Sequence, residues 1–337
     1  MKTYIIAEVG PNHNGSLDMA LKYIDKLSKI GVDAIKFQLG NPEQTYSLDA
    51  FKADYQKERE TSKSPIEMAK KHQLKPEQHK VLFNKCNNMG VDYLCSCFDL
   101  GSLKFLDENV DLKYYKIPSG ELFSLDIINY IAKNNKSIIL STGMATYEEI
   151  EIAINLLEQG TKKDITLLHC ISNYPAPYDD VNMNVMPALK KRFDYNVGFS
   201  DHTIGNESAI AAVALGATMI EKHVTMDKSL PGPDHQASST IEEFSKLVES
   251  IRKVEKILGV AEKLFSKEEI DIALFARKSI VAKRKISKGA KIKNEDICYK
   301  RPGTGFLPIE KDQVIGKKAL INIPENKVIT RDFLIDD

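Results

Sequence analysis

Along the first 260 or so residues, apolar positions cluster in short runs separated by longer stretches where they return every third or fourth residue. The runs are YIIAEV (4–9), DAIKFQ (33–38), VDYLCSC (91–97), KYYKI (113–117), SIILST (137–142), ITLLHC (165–170), YNVGFS (195–200) and TMIEKH (218–223). Their β-branched and aromatic content predicts strands. The spacing between them predicts helices over 16–30, 76–89, 123–134, 147–159, 206–215 and 241–258, several opened by Ser, Thr or Asn at a capping position. Eight strands alternating with helices predict an α/β fold of the (β/α)8 TIM barrel type. An open doubly wound sheet would carry a Gly-rich dinucleotide turn after its first strand, and GPNHNG lacks that spacing.

One connection, 39–75, is polar, charged and long for a compact barrel, which marks it as a candidate lid. Beyond residue 259 the texture changes. Residues 266–278 read as a charged linker helix, and short strand-like segments broken by Gly, Pro and Asn then predict a small, mostly β domain. The expected division is a catalytic barrel over 1–262, a linker over 263–278 and a second domain over 279–337. A domain of about 60 residues is near the lower limit for an independent core, so it is expected to lean on the barrel or on another subunit.

Composition narrows the function classes. The 337 residues are 42% hydrophobic and 28% charged, as in folded globular proteins, and 47 basic residues balance 47 acidic ones. Nothing in that balance calls for nucleic acid or an anionic membrane as partner, so an anionic ligand must be caught by a local site. No run approaches the ~20 apolar residues of a membrane span, and MKTYIIAEVG lacks the long apolar stretch of a signal peptide, which predicts a cytoplasmic protein. Five cysteines, only Cys95 and Cys97 close in sequence, read as reduced thiols in packed positions.

Barrel active sites lie at the C-terminal ends of the strands, and here those ends are rich in polar residues: Glu8, Lys36, Ser96, Lys116, Ser141 and Thr142, Ser200 with His202, Glu221 with His223. Ser119, Glu121 and the 172–174 segment follow close behind. Because side chains alternate along a strand, His202 shares a face with Ser200, and His223 with Glu221, so two imidazoles and a carboxylate can converge. Such a pair suits a divalent metal with open positions; the alternative is internal hydrogen bonding at the barrel mouth. Lys36 and Lys116 end inward strands. A buried ammonium needs an anion, so either each pairs with a carboxylate such as Glu8 or Glu121, or the site receives an anionic ligand, which the surrounding hydroxyls favour. His72 and His79, in charged helical surroundings, are expected to be solvated. His169 is expected in the core, while His13 and His235, in polar loops, stay open as substrate contacts.

Nine segments in order, AEVGPNHNGS (7–16), IKFQ (35–38), YKIPSGE (115–121), LSTGM (140–144), NYPAPYDDVN (173–182), GFSDHT (198–203), IEKHVT (220–225), PGPDHQAS (231–238) and KRPGTG (300–305), closely resemble the sialic acid synthase family, including N-acetylneuraminate and legionaminate synthases. The resemblance spans almost the whole chain and gives the C-terminal part the look of the family's antifreeze-like (SAF) domain. It implies condensation of phosphoenolpyruvate with an N-acylated mannosamine-type sugar and water, giving a nine-carbon 2-keto acid and phosphate through carbon–oxygen cleavage. By position it implies His202 and His223 as ligands of a divalent metal, usually Mn2+. Lys36, Lys116, Ser96, Ser119, Ser141 and Ser200 would hold phosphoenolpyruvate. Glu8 would stand near the reacting carbons, with Glu121 and Glu221 in related acidic positions. Tyr174, Asp234 and Phe98 would line the sugar site, and Arg301 would be supplied by the SAF domain of the partner in a domain-swapped homodimer. Cys170-Ile171-Ser172 departs from the Cys-Thr-Asn of some members, and Thr304 from their Asn or Leu. The competing readings are another barrel aldolase or phosphosugar synthase, and a non-catalytic SAF-type binding protein.

Overall fold

The computed structural model describes residues 2–59 and 61–335. By internal contacts the chain divides into two units, Met1–Gly259 and Val260–Asp337.

Among the described residues, the first unit contains eight parallel strands: β1 Tyr4–Glu8, β2 Ala34–Leu39, β3 Asp92–Cys97, β4 Tyr114–Ile117, β5 Ser137–Ser141, β6 Ile165–Cys170, β7 Asn196–Asp201 and β8 Met219–Thr225. They pair in sequence order, and β1 also pairs with β8 from Tyr4↔Met219 to Glu8↔His223, which closes the barrel. A two-residue β9, Ser239–Thr240, pairs parallel with the end of β8. The eight predicted runs fall on these strands.

Alternation sorts each strand into two environments. One set of side chains (Ile6, Ala34, Leu94, Ile139, Leu168 and Met219) fills the barrel interior as an apolar layer. Two residues further along the same strands come Glu8, Lys36, Ser96, Ser141, Cys170 and Glu221, so the layer above the apolar one is polar. Gly198 keeps the interior passable where β7 meets β8; a Cβ there would lie 2.5 Å from the Met219 carbonyl oxygen. The opposite faces, with Ile5, Phe37, Tyr115 and Phe199, form the larger core under the helices.

The helices are α1 Leu17–Leu27, α2 Pro42–Thr45, α3 Asp54–Arg59, α4 Pro65–His72, α5 Pro76–Asn88, α6 Leu100–Asn109, α7 Leu125–Ala132, α8 Tyr147–Glu158, α9 Val185–Phe193, α10 Glu207–Ala214 and α11 Ile241–Leu258. Hydroxyl caps start several. Ser16 accepts from the Met19 N–H at 3.2 Å, and at α11 Thr240 accepts from the Glu243 N–H while Glu243 returns a bond to the Thr240 N–H. The 39–75 connection is thus not an irregular loop: α2, α3 and α4 stand within it. Helices α6 and α9 are additions to the predicted set.

Two expectations about histidines are corrected. His79 is fully buried, its Nδ1 2.6 Å from the Tyr93 hydroxyl, because it shares the inner face of α5 with Leu82 and Cys86. His72 is buried on the inner face of α4 beside Met68, with Nδ1 3.0 Å from Asn14 Oδ1. His169 lies in the core as expected, bonded to the Val181 carbonyl at 2.6 Å.

On the outer face of β7 and β8, Lys222 is buried and donates to Asp201 at 2.7 Å and to the Thr203 carbonyl at 2.7 Å. Asp201 in turn accepts from the Thr203 N–H and hydroxyl. This pair flanks His202 and His223 in sequence and ties their strands together.

The second unit carries α12 Lys267–Ala276 and an antiparallel pair, β10 Ser279–Ala282 with β11 Ile297–Lys300. Further backbone bridges such as Ile286↔Ile323 and Ala319↔Leu334 complete it around its own core of Ile280, Ile292, Phe306, Val314 and Ile329. All five cysteines are free thiols. No helix among the described residues is long and apolar enough to cross a membrane.

Candidate active site

A cavity of about 310 Å³ opens at the C-terminal end of the barrel, and the polar layer forms its floor. Glu8, Lys36, Ser96, Lys116, Ser119, Ser141, Ser200, His202, Glu221 and His223, all singled out from the sequence, line this one space, as do Phe98 and Tyr174.

Charge in the floor is shared among four buried groups. Lys36 Nζ lies 3.0 Å from Glu8 and 3.6 Å from Glu221, and donates to Ser96 at 3.1 Å. Lys116 Nζ donates to Ser141 at 2.6 Å and lies 3.9 Å from Glu221. Glu221 also accepts from Ser200 at 3.0 Å, and Glu8 from Gln38 at 2.7 Å. Both lysines therefore have internal carboxylate neighbours, Glu8 and Glu221, while facing the cavity. Glu121 is not among the cavity-lining residues; it bonds Ser124 instead.

The two carboxyls are driven apart. Burial raises Glu8 to about 7, with Glu221 adding to the rise and Lys36 only partly offsetting it. For Glu221, burial is outweighed by Lys116 and then Lys36, which hold it at about 2. Burial pulls Lys36 down, but Glu221 and Glu8 outweigh it and keep it charged, whereas burial prevails at Lys116 and lowers it. One carboxyl is thus a fixed anion and the other exchanges a proton near neutrality.

Above the floor, the His202 and His223 rings lie 5.6 Å apart between centroids, and the Tyr174 ring sits 4.1 Å from His202 and 5.5 Å from His223. Burial lowers His202 to about 4. It also drives His223 well below its ordinary range, with His202 adding to the effect, so both imidazoles are neutral. His202 Nδ1 lies 2.6 Å from the Ile171 carbonyl, which fixes it as the protonated nitrogen and leaves Nε2 with its lone pair. His223 Nδ1 is buried without a hydrogen bond, 3.6 Å from Asp234. Two neutral imidazoles, one with an unsatisfied buried nitrogen, fit a divalent cation. No group of three or more His, Cys, Asp or Glu among the described residues forms a closed ligand set, so a cation here would keep positions for ligand oxygens.

Residues 23–263 match the NeuB family and residues 277–335 the SAF domain. The chain belongs to the NeuB family. It is 43% identical over 331 residues to the N,N'-diacetyllegionaminic acid synthase of Campylobacter jejuni, covering 97% of this chain and 99% of that relative. Identity to the Legionella pneumophila protein of the same name is 40% over 328 residues, 96% of this chain and 92% of the relative. Among solved structures, the N-acetylneuraminic acid (sialic acid) synthetase of Leptospira borgpetersenii, crystallised with citrate, superposes with a TM-score of 0.72 at 31% identity over 81% of this chain and 90% of that one.

Several features of this NeuB-family barrel were not singled out from the sequence. Gln38 follows Lys36 by two positions on β2, so alternation alone could have found it. Gly143 was not singled out either; a Cβ there would lie 2.8 Å from Ser119 Oγ and 2.9 Å from Cys170 Sγ, so only glycine lets its N–H donate to Ser119 at 3.0 Å. His13 and His235 are corrected: both are buried outside the cavity lining, His13 accepting from the Gly15 N–H and His235 bonded to Thr225 at 2.7 Å. Asp234 lines an adjoining cavity that shares His223 and Tyr174 with the first. Arg301 belongs to the second unit, where it is exposed and donates to the Ala276 carbonyl at 2.9 Å.

Proposed function

We propose that this chain condenses phosphoenolpyruvate with the open-chain aldehyde of an N-acylated mannosamine-type sugar and water, releasing phosphate and a nine-carbon 2-keto acid. A 2,4-diacetamido-trideoxymannose is the preferred sugar, ahead of N-acetylmannosamine, in line with the similarity to the two diacetyllegionaminic acid synthases. The observation that carries the reading is the pairing of two buried lysines with hydroxyls at the base of a cavity whose upper wall holds two neutral imidazoles.

The phosphate and carboxylate of phosphoenolpyruvate settle between Lys36 and Lys116, with Ser96, Ser119, Ser141 and Ser200 as further donors. Glu221, held ionised, keeps Lys36 charged and offsets part of the burial that lowers Lys116. A divalent cation, Mn2+ in this reading, would be held by His202 and His223 and would supply Lewis-acid polarisation of the sugar's carbonyl oxygen. Tyr174, its ring tilted against His202, and Phe98, which lines the same cavity, orient the aldehyde over the enol carbon. Carbon 3 of phosphoenolpyruvate bonds to sugar carbon 1, and the aldehyde oxygen ends as a hydroxyl. Water adds to carbon 2, and the resulting tetrahedral centre expels phosphate with its bridging oxygen. Glu8, near its titration point, takes the proton of that water. Free cysteines accord with a cytoplasmic enzyme. In a domain-swapped homodimer, Arg301 of a second copy would donate its guanidinium fork to the N-acyl group.

The test is product mass with Mn2+, phosphoenolpyruvate labelled at the bridging oxygen, and each sugar in turn. Label in released phosphate beside a nine-carbon acid is the expected result. Label retained on the sugar, or turnover unaffected by chelation, refutes the scheme.

A further inference from the structure

We infer that the Cys170 thiol is a positioning residue, which fills the acceptor side of the Ser119 hydroxyl and so commits the one Ser119 proton to the anion in the cavity. The inference rests on the phosphoenolpyruvate reading proposed above and adds to it a residue that acts through a neighbour.

The serines around the cavity floor are not held alike. Ser96 on β3 accepts from Lys36 at 3.1 Å, and Ser141 at the end of β5 accepts from Lys116 at 2.6 Å. Each of those oxygens carries a cation's hydrogen bond, which leaves its own proton for a ligand. Ser119 stands just beyond β4, in the short 3-10 helix Ser119–Glu121, and is held by an amide and a thiol instead. The Gly143 N–H, just after β5, donates to Ser119 Oγ at 3.0 Å. Cys170 Sγ, at the end of β6, lies 3.2 Å from the same oxygen. Three successive strand ends thus meet at one hydroxyl. Both Ser119 and Cys170 line the catalytic cavity.

Counting protons gives the roles. A serine hydroxyl has one proton to donate and two lone pairs that accept, and the Gly143 N–H occupies one of the pairs. The contact with Cys170 can run either way, with the O–H directed at sulfur or the S–H at oxygen. Sulfur is a weak acceptor, whereas a phosphate or carboxylate oxygen accepts a charge-assisted bond roughly twice as strong as a neutral one. When an anion enters, the Ser119 proton turns to it. The thiol proton then takes the second lone pair, and the hydroxyl is held as a donor from both sides. This requires Cys170 to keep its proton. Its side chain is buried, and burial raises it above the ordinary thiol value against the opposing pull of Ser119 and Lys116, so it is a thiol at neutral pH. A thiolate would accept the Ser119 proton itself and compete with the ligand.

The test uses the full-length protein and four variants: Cys170→Ala, Cys170→Ser, Ser119→Ala and the Ser119→Ala/Cys170→Ala double. Calorimetry with Mn2+ and no sugar gives Kd for phosphoenolpyruvate, phosphate release with a 2,4-diacetamido-trideoxymannose gives KM and kcat, and circular dichroism checks each fold. Cys170→Ala should raise Kd and KM for phosphoenolpyruvate about three- to tenfold, the scale of one hydrogen bond, and move kcat by under about twofold. Cys170→Ser, smaller than cysteine but still a donor, should stay within about twofold of the wild type in Kd. In the Ser119→Ala background, Cys170→Ala should add under about twofold, because the group it positions is gone. Equal losses in Cys170→Ala and Cys170→Ser mark a packing role, and an undiminished effect of Cys170→Ala without Ser119 marks a direct one; either overturns the inference. Phosphoenolpyruvate that binds without turnover sinks the condensation alone, since the Kd comparison still decides the role of Cys170. A wild type that does not bind phosphoenolpyruvate overturns both.

Discussion

Replacing Lys222 by Met removes one partner of a deeply buried ion pair in the barrel and leaves Asp201 facing the core. Lys222 and Asp201 are 2% and 1% exposed, 2.7 Å apart, and Lys222 also satisfies the Thr203 carbonyl. Breaking such a pair on one side costs roughly 3–5 kcal/mol, since the remaining charge keeps its desolvation penalty without its compensation. In a unit of this size each kcal/mol moves the midpoint about 2–4 °C, so Lys222→Met should melt roughly 6–20 °C lower. The Asp201→Leu/Lys222→Met double variant, in which no charge is stranded, should recover most of that loss. The comparison is Lys228–Glu243, also 2.7 Å but 37% and 47% exposed, where Lys228→Met should cost under about 1 kcal/mol. Urea and thermal unfolding followed by circular dichroism measure all three. If Lys222→Met loses no more than Lys228→Met, burial does not govern the pair and the argument fails. Because the pair braces the strands carrying His202 and His223, Lys222→Met should also weaken binding of Mn2+ at the proposed site, measured by calorimetry.

Two further outcomes rest on burial of ionisable groups. Glu8 is raised to about 7 by burial, so kcat should climb as pH passes 7; Glu8→Gln should flatten that limb and lower kcat at least about 100-fold with little change in KM for phosphoenolpyruvate, and an effect confined to KM would remove Glu8 from the chemistry. Burial holds His13 at about 3, and His202 and His235 at about 4. In the unfolded chain these imidazoles bind protons near 6.5, so their neutral burial supports stability above that pH, and the support falls away as pH drops from 6.5 toward 4. Each contributes at most about 1.4 kcal/mol per pH unit, so the fall in unfolding free energy from pH 6 to pH 5 should be smaller by up to that amount in His235→Gln than in the wild type. An unchanged fall would show that His235 is not the source.

The strands were legible because a barrel strand is apolar on both faces below its polar C-terminal end, and the floor residues were legible because each follows an interior apolar position by two. Helix α6 escaped because Gly101, Ser102 and Asn109 blur its periodicity, and α9 because Pro187 reads as a breaker although the first helical turn tolerates it. The histidines of α4 and α5 were misplaced by their charged neighbours, whereas the three- and four-residue spacing from Met68 to His72 and from His79 to Leu82 and Cys86 pointed inward. His13 and His235 were misplaced because two loops that look polar locally meet in the folded chain, where Asn14 contacts both His72 of α4 and His235. Arg301 could be singled out only through the family resemblance, since its own surroundings are an exposed loop.

Closure of β1 against β8 also dictates the order of events during synthesis. Tyr4–Glu8 leaves the ribosome more than 200 residues before Met219–Thr225, so one of its hydrogen-bonding edges stays vacant until the later strand emerges. Throughout that interval the nascent chain presents an open, sticky sheet margin. Long-range pairing of this kind slows the final step and lengthens the time for which that margin is exposed.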